Sequence, residues 1–148
     1  MLAKEYLASL GIEDVEAVWL SDAGMVADIT YVATQNGVRI YPDLIRVRVC
    51  ESKGRVVGID AMEYHLNHKE REIGTSQARE FAESLLTEGL KPYAAHLALI
   101  PVDDREVLAH EFACTYGEEE YIVYLDAMTG EELQIYRVRS SARGSYLE

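Results

Sequence analysis

Positive charge is scarce in this chain. Across 148 residues, 14 lysines and arginines stand against 26 aspartates and glutamates, a formal net charge of −12. Such a surface repels phosphate backbones and anionic lipid, which argues against nucleic acid and membrane surfaces as partners. Cysteine is scarce too. Cys50 and Cys114 cannot make a disulfide framework, and each lies in a strand-like run where a buried or half-buried free thiol is expected. No apolar run reaches membrane-spanning length, and the N-terminus lacks the basic-then-apolar layout of a signal peptide. The expectation is a soluble domain, or a soluble piece of a longer protein. Reactive signatures are missing as well: there is no G-x-S-x-G and no glycine-rich phosphate loop. The acidic run Glu118-Glu119-Glu120 lacks the alternating oxygen ligands and the glycine of a calcium loop, so it reads as a solvated hairpin tip.

What is present is repetition. Tyr31-Val32-Ala33-Thr34-Gln35-Asn36-Gly37 returns, loosened, as Glu111-Phe112-Ala113-Cys114-Thr115-Tyr116-Gly117. Leu7 to Ile12 matches Leu85 to Leu90, and Gly54 matches Gly130, each at nearly the same offset along the chain. Matches in one order with small drifts point to a duplicated unit. With 49% hydrophobic residues the chain can bury one core, or two small cores in contact. The two copies differ at one place: the stretch from Gly37 to Gly54 is longer than the stretch from Gly117 to Gly130. The excess falls on Val38-Arg39-Ile40-Tyr41-Pro42-Asp43, read as a loop.

Ala3, Tyr6, Leu7 and Leu10 share a face at helical spacing, and Gly11 ends that helix. Strands are expected over 15–20 and 25–34, with a turn at Ser21-Asp22-Ala23-Gly24 and a hairpin at Asn36-Gly37. From Leu44 to Cys50 the residues alternate: Ile45, Val47 and Val49 point one way, Arg46, Arg48 and Cys50 the other. That is the mark of an antiparallel sheet with one wet face. A short helix is expected within 60–68, then a charged connector. A second helix capped by Ser76 is predicted to turn Phe81, Ala82, Leu85 and Leu86 inward. Gly89 and Pro92 end it. Strands follow over 96–100, 106–116, 121–125 and 132–138, and a loose tail from Ser140.

His65 and His68 share a helical face, but a zinc site needs three or four convergent ligands, so a solvated helix end is the expected reading and no metal is assigned. His110 shares a face with Leu108, Phe112 and Cys114 and is expected to be hydrogen-bonded core. Four residues along a strand span about 13 Å, too far for His110 to activate Cys114 directly. Six of the ten tyrosines cluster around the second hairpin (Tyr116, Tyr121, Tyr124, Tyr136) and the first loop (Tyr31, Tyr41). Tyrosine favours pleated surfaces anyway, and as a group these suit an interface.

The run from Gly37 to Val49, with Gly-Val-Arg-Ile-Tyr-Pro-Asp at its head, resembles the YpeB family of sporulation and germination proteins. Gly54 to Ala61 and the Tyr64, Asn67-His68, Glu70-Arg71 stretch extend the likeness. Tyr121 to Glu132, with its Asp126-Ala127-Met128-Thr129-Gly130 turn, resembles the end of a PepSY domain. The resemblance implies an α+β fold: two tandem PepSY-like units, residues 1–70 and 71–148, each a helix packed on an antiparallel sheet. PepSY units also occur in propeptides of thermolysin-like metallopeptidases, where they inhibit or chaperone hydrolases. The implied function is a non-enzymatic regulator that stabilises or restrains a SleB-like spore cortex-lytic enzyme. It would work at the spore inner membrane surface or between membrane and cortex, with its anchor segment outside this chain. Neither a cofactor nor a catalytic residue is carried over. The candidate binding residues are Tyr41, Pro42, Asp43, Tyr121 and Tyr124. The alternative is a structural module that self-associates, as a homodimer, in the spore envelope.

Overall fold

Asn36 and Gly37 take φ values of 51° and 79°, the paired positive angles of a two-residue hairpin turn that matches the twist of its strands. That hairpin sits in a mixed α/β fold dominated by one large sheet. The computed structural model describes residues 2–22, 24–141 and 144–147, with side chains as far as residue 139. The elements run α1 (Leu2–Ser9), β1 (Val15–Asp22), β2 (Val26–Gln35), β3 (Val38–Cys50), β4 (Arg55–Asp60), α2 (Met62–Asn67), α3 (Arg79–Glu83), β5 (Lys91–Val102), β6 (Arg105–Tyr116), β7 (Glu119–Asp126), β8 (Glu132–Ser141) and β9 (Gly144–Leu147).

The nine strands of the described residues lie in the order β2-β1-β9-β8-β7-β6-β5-β3-β4, and β2 also pairs with β3, so the hydrogen-bonded order returns on itself. Neighbours are antiparallel except β3 and β5, which pair in parallel at Arg39–Ala98 and Ile40–Leu99. The tail expected after Ser140 is instead strand β9, which pairs with β8 along its length and with β1 at Ser21–Gly144. Residues 142, 143 and 148 of that tail, and Ala23 of the expected first turn, lie outside the described residues.

α1 is closed by crossed bonds: Gly11 N–H donates to Ala8 O at 3.0 Å and Ile12 N–H to Leu7 O at 2.9 Å. Gly11 holds φ 82°, which its missing Cβ permits. This cap brings Ile12 onto Leu7, and the two join Ala3, Val15, Tyr31, Ile45 and Val47 in a core against one sheet face. A second core gathers Ala82 of α3 with Phe112, Cys114, Val123 and Leu125. The opposite sheet face holds a third, Ala98, Ile100, Ala109, Ile122 and Tyr124, against which Trp19 and Tyr41 pack from the N-terminal half.

The second helix is shorter than predicted. Ser76 is not its cap, because Gln77 N–H is bound to Ala127 O at 2.7 Å and helix entry waits until Ala78. Beyond Glu83 the bonds tighten to i→i−3, from Leu85 to Ala82 and from Leu86 to Glu83. Phe81 and Leu85 are therefore not core but half exposed, and lie over Gly130, where an added Cβ would meet Leu85 at 2.2 Å.

Candidate functional site

The extra residues of the first copy are not a loop. They lie inside β3, where Ile40 pairs with Ala33 of β2 and the next pair is Leu44 with Val32. Tyr41, Pro42 and Asp43 have no β2 partner and bulge out of the ladder. Proline suits the spot, since its missing N–H leaves nothing unsatisfied there. The bulge marks a change of neighbour on the other edge of β3: Arg39 and Ile40 pair with β5, whereas Arg46 to Cys50 pair with β4.

Two buried polar clusters grow from this bend. In the first, Glu111 of β6, 4% exposed, accepts from Arg39 Nη1 at 2.7 Å, from Tyr124 Oη at 2.5 Å and from Tyr41 Oη. Arg39 also donates through Nη2 to Glu16 of β1 at 2.7 Å. Three strands from both halves thus meet on the Glu111 carboxylate, and Arg39 ties in a fourth through Glu16. Burial costs the Arg39 cation, yet Glu16 and Glu111 outweigh that and hold its pKa above the ordinary value. Burial, then the Glu111 charge, push the Tyr41 and Tyr124 phenols well above theirs, so both stay protonated and donate.

The second cluster centres on Arg71, on the connector between the halves. Its guanidinium grips Asp43 through two bonds, at 2.9 and 3.0 Å, and Glu106 through two more, at 2.7 and 3.1 Å. Its backbone exchanges bonds with the Gln35 side chain in both directions. Burial opposes the Arg71 charge, but Glu106 and Asp43 raise its pKa above the ordinary value. Asp43 is fully buried and also bonds His68 Nδ1 at 2.8 Å, while His68 stacks on Tyr64 with centroids 4.3 Å apart. The helix end read as solvated is therefore tied to the strand beneath it.

Over the first cluster lies a cleft of about 870 Å³, on the sheet face away from α1. Trp19, Tyr41, Ile100, Tyr124 and Tyr136 form its floor. The rings meet edge to face, Tyr41 with Tyr124 at 6.0 Å and Tyr124 with Tyr136 at 6.2 Å. Trp19 reaches this face because the β1 register shifts between Ala17 and Trp19. Size and apolar lining are those of ligand-binding clefts.

The structure divides the candidate binding residues. Tyr41, Pro42 and Tyr124 line the cleft. Asp43 is buried against Arg71 and offers no free carboxylate. Tyr121 packs on the opposite face with Phe112 and Val123, as strand alternation requires of a residue three before Tyr124. Sequence reasoning missed Arg39, Glu111, Arg71 and Trp19. The signal for Glu111 and Arg39 was a lone charge inside an apolar run, which is stable only when paired. His110 lies where expected, buried, with Nε2 donating to Gln77 O at 2.9 Å. Both thiols are free, Cys50 partly exposed and Cys114 buried, with burial pushing the Cys114 pKa to about 11.

The tyrosines give the site a pH signature. Their folded pKa values lie above the ordinary 10.0, so their contribution to stability is whole below pH 10 and falls as pH rises further, when only unfolded chains ionise freely. Urea midpoints are expected to drop between pH 9 and 11, and to drop less in a Y41F/Y124F variant. An equal drop in both would count against the assignment.

The geometry defines a class: a mixed α/β domain in which buried ionisable groups are engaged with one another beneath an open aromatic cleft. This fold is shared with the Bacillus megaterium YpeB C-terminal domain, at a TM-score of 0.83 and 28% identity over 93% of this chain and 62% of that one. The family described as YpeB sporulation, PepSY1 and PepSY2 domains matches residues 1–74, and the chain belongs to this YpeB sporulation protein family. It is 33% identical over 132 residues to the sporulation protein YpeB of Oceanobacillus iheyensis, and 30% identical over 141 residues to that of Halalkalibacterium halodurans. These matches cover 88% and 94% of this chain but only 30% and 32% of the relatives, so the chain spans about a third of their length. Among the described residues no helix is long and apolar enough to cross a membrane.

Proposed function

We propose that the chain is a non-catalytic binding and regulatory module that holds a SleB-like spore cortex-lytic hydrolase stable and inactive through sporulation and germination. It would act at the spore inner membrane surface or between membrane and cortex. The observation that carries this reading is the cleft. The acids and bases beneath its floor are paired internally, which leaves aromatic surface to offer a partner. Membership of the YpeB family supports the sporulation setting.

We also read the chain as tandem PepSY-like units, residues 1–70 and 71–148. Each half opens with a helix and four strands, followed by α2 in the first and by β9 in the second, and each repeated glycine pair shares positive φ: 82° and 97° at Gly11 and Gly89, 79° and 62° at Gly37 and Gly117, 60° and 76° at Gly54 and Gly130. Against a simple pair of domains stand the parallel β3–β5 contact and the shared polar clusters, which join the halves.

The test is to mix the chain with the cortex-lytic enzyme of its own organism and follow both complex formation and cortex hydrolysis. Co-elution with slowed hydrolysis is expected. Separate elution at micromolar concentrations with hydrolysis unchanged would refute the reading. The second reading, self-association in the spore envelope, rests on β4. Its outer edge is unpaired among the described residues, and Val57 and Ile59 are 47% and 39% exposed. Light scattering separates the two: a tight dimer without affinity for the hydrolase favours self-association.

A further inference from the structure

We propose that the cleft takes a lysine- or arginine-bearing segment of the partner, an inference that rests on the binding-module reading and names the chemistry it selects. Its mouth is acidic. Asp28, Glu63, Asp103, Asp104 and Glu106 line it against two cations, Arg46 and Arg105. Asp28 and Glu106 are neutralised from outside the cleft, by Arg48 at 2.8 Å and Arg71 at 2.7 Å. Arg46 faces Asp60 at 3.9 Å. Among the described residues Glu63, Asp103 and Asp104 have no cationic partner, and Arg105 is the one unpaired cation beside them.

The floor suits the same occupant. Trp19, Tyr41 and Tyr136 are partly exposed in this lining, with Tyr124 buried behind them, and a cation over an aromatic face is attracted by the ring quadrupole. The methylene stem of a lysine or arginine lies on apolar walls while its head stays near the rim carboxylates. An acidic segment meets repulsion from the mouth and from the −12 charge of the chain, so the cleft discriminates by sign as well as by shape. The tyrosine hydroxyls do not compete for the cation, because Tyr41 and Tyr124 are held on Glu111.

Trp19 is the only tryptophan in the chain and lies in the floor, so its fluorescence reports occupancy directly. Capped tetralysine is titrated against the intact chain, with tetraglutamate and chitotetraose in parallel. Tetralysine is expected to shift Trp19 emission saturably, and the other two to leave it unchanged. A D103N/D104N variant is expected to bind tetralysine about tenfold more weakly, the effect of two lost rim charges. Both positions are exposed in a hairpin turn, and asparagine tolerates the positive φ of Asp103, so folding is preserved. No shift with tetralysine, a shift with chitotetraose instead, or undiminished tetralysine binding in the variant each overturns the proposal. Hydrolase capture is scored separately. Capture by the wild type and the D103N/D104N variant alike, without any tetralysine response, sinks the cleft preference and leaves the binding module standing. A tetralysine response without capture upholds the cleft and sinks the module.

Discussion

Replacing Arg71 with alanine is expected to cost about 3–5 kcal/mol, the loss typical of breaking a buried ion pair from one side. The reason is Asp43. Its side chain is 1% exposed, that of Arg71 is 5% exposed, and four guanidinium bonds hold Asp43 and Glu106 together. Without the guanidinium, Glu106 can rehydrate, but Asp43 keeps only His68. R71K is expected to recover less than half of the loss, because the three donors of an ammonium cannot reproduce two bidentate pairs. Denaturant unfolding reads both variants. A double cycle with D43N should show coupling of about 0.5–3 kcal/mol between residues in direct contact. A cost for R71A below about 1 kcal/mol would mean that the connector is not anchored through this pair.

Truncating Glu111 is the second large effect. E111A removes the common acceptor of Arg39, Tyr41 and Tyr124, and Arg39 Nε already lacks a partner in its buried position. The expected loss is again about 3–5 kcal/mol, since two buried phenols lose their acceptor and Arg39 keeps only Glu16. E111Q keeps the shape and loses the charge, so about 1–3 kcal/mol is expected. The informative comparison is R39M/E111L. Removing both charges and filling the space with apolar atoms is expected to cost less than E111A alone, as for other buried pairs replaced together. Urea midpoints of the three variants decide it, and a double variant worse than E111A would show that the network supplies more than mutual neutralisation.

Part of this arrangement could be read from residues alone. Strand phase followed from alternation: Ile45 and Val47 are buried while Arg46 and Arg48 are exposed, as period two demands. The Asn36-Gly37 turn follows from the φ tolerance of both residues, and the length difference between Gly37 and Gly54 located the irregular segment to within a few positions. Its conformation was hidden, because Tyr41-Pro42-Asp43 has the composition of a loop. Only the partners of Asp43 and Tyr41, distant in sequence, keep those residues within a strand. Helix α3 misled for a related reason. The periodicity of Phe81, Leu85 and Leu86 is genuine, but Gln77 and Ala127 fix the entry late and the segment has room for little more than a turn. Strand β9 has four residues, too few for any pattern to register.

Three residues give β3 two neighbours along a single edge. A straight strand has one continuous row of donors and acceptors on each side, so β4 and β5 would contest the same row if Tyr41, Pro42 and Asp43 were deleted. Whichever ribbon lost that contest would be left with bare amides and carbonyls, and the nearest remedy is the matching strand of another molecule. The kink thus keeps the chain's pairing to itself, and shortening the chain there invites exchange of strands between copies.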